Sequence, residues 1–176
     1  TTRLDSGAVV VAGPAPPDPM AVFVTRPDWP QLSALLAERQ AIGSMGLDVA
    51  LPDDREAADA ALLAAFKARM NAHNALSDRL RDLLIHADDV DMQVLLWIEL
   101  AVLNMELAED LLTISIPAHL TDEQAELYRM GLEDKAYVYE ETARELLDGA
   151  LQVGWTAGRY LPILQVCLLY TSPSPR

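Results

Sequence analysis

Thiol chemistry is almost absent from this 176-residue sequence, which holds one cysteine, Cys167. A single thiol closes no internal disulfide and builds no cysteine metal site. Scarcity of cysteine fits a reducing cytoplasm and much of a bacterial envelope alike, so it selects neither location. Positive charge is also short, with 13 Lys and Arg against 27 Asp and Glu and a net charge of −14. Such a surface is unsuited to nucleic-acid phosphates, where Lys and Arg must displace counterions, so no nucleic-acid partner is expected. It is equally unsuited to anionic lipid, and solubility is its simplest consequence. Long apolar runs are missing too: no stretch approaches the ~18 uncharged apolar residues of a membrane helix. Gly7 to Gly13 is too short and lacks the basic flank of a signal peptide. No membrane insertion is therefore expected within this segment.

Catalytic signatures are lacking as well. The chain has no Gly-rich phosphate loop, no nucleophile elbow and no His-Glu-x-x-His pair. Its histidines, His73, His86 and His119, lie far apart, and only His119 has a glutamate (Glu123) at helical ligand spacing, across an expected helix cap. The Glu-x-x-His pairs of a di-iron bundle do not occur. His86 with Asp88, Asp89 and Asp91 lacks the glycine and closing glutamate of a calcium loop, and reads as a loop that supplies caps. No catalytic, cofactor-binding or metal-binding residue is assigned, no cofactor is expected, and the segment is read as not an enzyme.

What the chain has is Ala, Leu and Glu in helical periodicity, with only 6% aromatics. Residues 1–30 hold Pro14, Pro16, Pro17, Pro19, Pro27 and Pro30 and read as an irregular Pro-rich linker, with Val9 to Val11 and Val22 to Val24 as candidate short strands. Residues 31–162 form the expected helical domain, with helices at 31–42, 54–86, 90–114 and 122–156. Asp28 is the expected cap of the first and Gly43 its stop. In the second, Leu62, Phe66, Met70, His73, Leu76 or Ser77, Leu80 and Leu84 recur at steps of three and four, one apolar stripe. His73 on that stripe reads as a packed core histidine. The third is apolar nearly all round from Val94 to Leu103, which marks a helix buried among others, and Ile116-Pro117 is its expected stop. The fourth opens on Thr121-Asp122-Glu123-Gln124, a capping box, and carries Glu133, Asp134, Glu140, Glu141 and Glu145 on a solvated face. Two helices near thirty residues long favour antiparallel hairpins, so the expected fold is all-α, a helical-repeat or bundle architecture. Trp97 is expected in the core; Trp155, flanked by Gly154 and Gly158, is the candidate partner-binding residue.

The closing string Cys167 to Arg176 back-translates in one frame to a transposase-end sequencing adapter running into its index-side extension. It is read as translated adapter and set aside from fold reasoning. Setting it aside removes the sole cysteine and Arg176, leaving 12 Lys and Arg against 27 Asp and Glu, a net charge of −15. Residues 163–166 then read as a truncated continuation. The start at Thr1 fits a piece of a longer protein.

From Asp91 to Pro162 one order of features has a familiar form. An apolar helix ends at Ile116-Pro117; Leu120-Thr121, Glu123-Gln124 and Tyr128 follow. Then come Leu132-Glu133-Asp134-Lys135-Ala136, Glu140-Glu141-Thr142-Ala143 and a close near Gly158-Arg159-Tyr160. This resembles the helical C-terminal region of large bacterial tetratricopeptide-repeat proteins of the gliding-motility type. The repeat signature Trp-x-x-Leu-Gly-x-x-Tyr is absent. The resemblance implies a scaffold of stacked helix hairpins for protein partners in the cell envelope, and it transfers no functional residue. An interaction scaffold is thus the leading expectation. The alternatives are a fragment of an enzyme or sensor whose active residues lie elsewhere, and a coiled-coil-like structural tether.

Overall fold

Five helices make up the computed structural model, which describes residues 20–50, 52 and 54–159: α1 (Ala21–Val24), α2 (Trp29–Gly43), α3 (Arg55–His86), α4 (Val90–Leu112) and α5 (Asp122–Thr156). The protein is all-α, with 79% of the described residues helical and no strand among them. The candidate strand at Val9 to Val11, the continuation at 163–166 and the tail at 167–176 lie outside the described residues.

The three long helices start where side chains take up orphan backbone N–H groups. Asp54 accepts from the Ala57 N–H at 2.9 Å at the head of α3, and Asp89 accepts from the Met92 N–H at 3.0 Å at the head of α4. Thr121 forms the full capping box of α5: its hydroxyl accepts from the Gln124 N–H, and the Gln124 side chain accepts from the Thr121 N–H. At the other end, Gly158 takes a left-handed φ of +65°. Its N–H donates to Trp155, and the Arg159 N–H donates to Gly154, the paired bonds of a Schellman stop.

Several sequence expectations are corrected. Val22 to Val24 is helical, within α1, and the stretch before residue 31 is not irregular throughout: α2 already begins at Trp29, because Pro30 sits in its first turn, where a missing N–H costs nothing. Asp28 occupies the cap position of α2 without capping it, since its carboxylate is taken by Arg26, at 3.0 and 3.2 Å. Gly43 is helical and has no left-handed φ; what its missing side chain allows is a close approach, for a Cβ there would stand 2.8 Å from Oε2 of Glu106. Helix α4 stops at Leu112, ahead of Ile116-Pro117, because Thr113 closes the final turn. Its N–H donates to Glu109 and Asp110 and its hydroxyl to Asp110, while Ile114 turns inward and is buried.

Helix α4 is the centre of the fold and packs against α2, α3 and α5. Its buried residues, among them Leu95, Leu96, Leu100, Leu103, Leu107 and Leu111, occur on every side, as its nearly uninterrupted apolar sequence requires. Each such leucine contributes about 1.5–3 kcal/mol through burial. One apolar cluster joins Phe23, α2, the C-terminal half of α3, the first half of α4 and the end of α5. A second, under Leu47, joins the other ends of α3, α4 and α5. Contacts between α4 and α5 run in opposite order, Asp91 beside Arg159 and Trp97 beside Gly149, so the two helices are antiparallel. Gly149 lets them close together: a Cβ there would lie 3.2 Å from the half-buried Trp97 ring.

Candidate functional site: buried ion pairs and the outer face of α5

Two charged clusters link the helices, the first partly buried and the second centred on a fully buried arginine. In the first, Arg39 of α2 bridges two carboxylates of α4 that sit seven residues apart, hence on one side of the helix. Its Nε donates to Glu99 at 2.6 Å and its Nη1 to Glu106 at 2.5 Å. Burial pushes the Glu99 carboxyl above the usual carboxylate range, against the opposing pull of Arg39. Glu106 keeps its second oxygen buried and unpartnered among the described residues, against Gly43.

The second cluster joins α3 to α4 and α5. Arg69 is completely buried, and its Nε donates to Asp110 at 2.7 Å, while Nη1 and Nη2 find no hydrogen-bond partner among the described residues. One turn on, His73 is buried with its ring edge-on to Tyr139 at 5.7 Å. The Tyr139 hydroxyl reaches Met70 Sδ at 3.8 Å. Burial first, then the positive charge of Arg69, lowers the His73 pKa from 6.5 to about 4, although a hydrogen bond with the Leu103 backbone pulls the other way.

That depression has a measurable sign. The folded chain holds His73 neutral while the unfolded chain protonates it near 6.5, so the stability His73 confers is complete above that pH and drains away toward pH 4. The shift amounts to about 3 kcal/mol at its acid limit. Urea unfolding at pH 7, 5.5 and 4.5 should show His73→Phe losing less stability than the parent on acidification, by up to that amount. Parallel pH curves for the two proteins would reject the assignment.

Neither cluster lines either of two grooves found among the described residues. A groove of about 450 Å³ runs between α2 and α3 beside Leu35 and Arg79, and one of about 540 Å³ lies at one end of the bundle, between the loops that carry Asp48 and Ser115. Both are open to solvent, and His73 lines neither. In the second, the Ser115 hydroxyl donates to Asp48 at 2.6 Å, and His119 stands 3.9 Å from Asp59. The three histidines are not brought together: His73 is interior, while His86 and His119 lie toward solvent at separate helix ends or loops. Among the described residues no group of three His, Cys, Asp or Glu side chains could hold a metal ion, and no helix is long and apolar enough to cross a membrane.

Of the exposed large apolar side chains among the described residues, the largest group lies on α5. Ala136, Ala143, Leu147 and Ala150 turn inward, and on the far side Leu127, Met130, Tyr137 and Val138 stand 53–63% exposed. Trp155, the candidate partner-binding residue, is 61% exposed on the same side, five turns or about 27 Å beyond Tyr137. Acidic residues interrupt the α5 apolar row, so the sequence does not announce it. Its one signal is apolar side chains at 127, 130, 137 and 138, out of phase with the inward-facing alanines. No protein-family model, no curated protein and no solved structure matches this chain.

Proposed function

We propose that this chain is a protein-interaction module: long helices paired as hairpins in the manner of tetratricopeptide-type scaffolds, with the outer face of α5 as its recognition surface. The observation that carries the reading is the exposed row Leu127, Met130, Tyr137 and Val138 on a helix whose opposite side is fully engaged with α4. Large apolar side chains grouped on a rigid element and ringed by charge mark recognition surfaces. Grooves open to solvent, and a His73 shut inside the core, favour it over catalysis.

The surface can be tested before its natural partner is identified. The full chain is immobilised and used to select from a displayed library of random helical peptides. Enriched peptides should bind the parent and lose roughly tenfold or more in affinity, about 1.4 kcal/mol, against Met130→Ser/Val138→Ser. Binders indifferent to that double substitution would reject the α5 face as the recognition surface.

A further inference from the structure

We infer that the occupant of the α5 face is a basic amphipathic helix. The inference rests on the interaction-module reading and adds the chemical class of the partner.

At 100° per residue, Leu127, Met130, Asp134, Tyr137, Val138 and Glu141 fall in one sector about 100° wide. Leu127 to Val138 spans about 16 Å of axis, or three turns, the length over which a helix offers anchors at i, i+3 or i+4, and i+7. The apolar side chains are exposed, and Met130 is a soft contact that adapts to a partner's shape.

Charge narrows the occupant. Asp134 lies within the row, as does Glu141, whose charge Arg144 offsets, and Glu123, Glu126, Glu133 and Glu145 surround it. Of the three basic residues on α5, Arg144 is already paired with Glu141, while Arg129 and Lys135 lie more than about 100° around the helix from the centre of the row. A second copy of this chain docked about a two-fold axis would set the same acidic side chains against one another, and like charges across an interface oppose pairing. An anionic membrane is repelled for the same reason. A helix with an apolar stripe flanked by Lys and Arg satisfies both the row and its rim.

Two synthetic helical peptides test this, sharing one leucine stripe, the first flanked by Lys and Arg and the second by Glu. Titrated into the full chain and followed by fluorescence anisotropy, the basic peptide should bind at least roughly tenfold more tightly than the acidic one and weaken as salt is raised. A net charge of −14 attracts any cation, so the decisive comparison holds charge constant. Met130→Ser/Val138→Ser should weaken the basic peptide roughly tenfold, whereas Ile85→Ser, at a 79% exposed position of α3, should leave it within about twofold. Equal binding of the two peptides overturns the inference, as does equal damage from the two sets of substitutions. So does dimerisation through this face, seen as a doubled sedimentation mass that Met130→Ser/Val138→Ser abolishes. Library binders that need the α5 face yet carry no basic flank would leave the interaction-module reading standing and remove this one.

Discussion

Asp110→Ala should destabilise the fold by about 3–5 kcal/mol, far more than removal of its partner, Arg69. The asymmetry comes from where the two charges sit. Arg69 is entirely buried and Asp110 is its sole hydrogen-bonded partner among the described residues, whereas the Asp110 side chain keeps 15% of its surface in water. Loss of the carboxylate strands a guanidinium with every N–H buried and unanswered. Loss of the guanidinium removes that charge and leaves a carboxylate that water can reach. Arg69→Met, which roughly conserves volume, should therefore change stability by no more than about 1.5 kcal/mol in either direction. Denaturant unfolding of both single variants and the double variant at pH 7 measures the difference. Equal costs for the two singles would show that burial of Arg69 is not what makes this pair sensitive.

Removal of Arg39 is the second large effect, and pH distinguishes it from the first. Arg39→Met leaves Glu99 and Glu106 facing one another across a single side of α4, both largely buried, and should cost about 3 kcal/mol or more at pH 7. Burial already raises the Glu99 pKa, and loss of the opposing pull of Arg39 raises it further. A carboxyl whose folded pKa lies above its unfolded value confers stability at acid pH and loses it as pH rises through the folded value. The deficit of Arg39→Met relative to the parent should therefore shrink as pH falls from 7 toward the ordinary carboxylate value of 4.5. Acid loss from His73 is shared by both proteins and cancels in the comparison. A deficit independent of pH would mean that lost side-chain packing, and not charge, is what Arg39 contributes.

Local chemistry makes much of the helical framework readable. Asp54 and Asp89 cap because short acidic side chains before a helix satisfy N–H groups within three residues, and Thr121 with Gln124 does so reciprocally. The interior position of α4 is equally plain, since a helix apolar on all sides has no face to give to water. What escapes a linear reading is partners distant in sequence. Arg69 falls in heptad register with Leu62, Leu76 and Leu83, a hint that it lies on the buried stripe, but nothing local announces Asp110, 41 residues on. Glu99 and Glu106 stand out within an apolar helix, yet their shared cation lies 60 and 67 residues earlier. Asp28 fails as a cap because Arg26 competes for it, and that same arginine reaches 63 residues ahead to Asp89. The α5 face is hidden for a different reason: alternation of acidic and apolar residues looks like an ordinary solvated surface until the inward side is known.

The placement of α4 has a consequence for how the chain is made. Synthesis runs from the N-terminus, so α4 emerges when α2 and α3 are already available to cover part of it. Its remaining side belongs to α5, whose last residue, Thr156, is 44 residues beyond Leu112. At ~5–20 residues per second that side of the most apolar helix in the fold stays bare for a few seconds on the ribosome, long enough for misassociation.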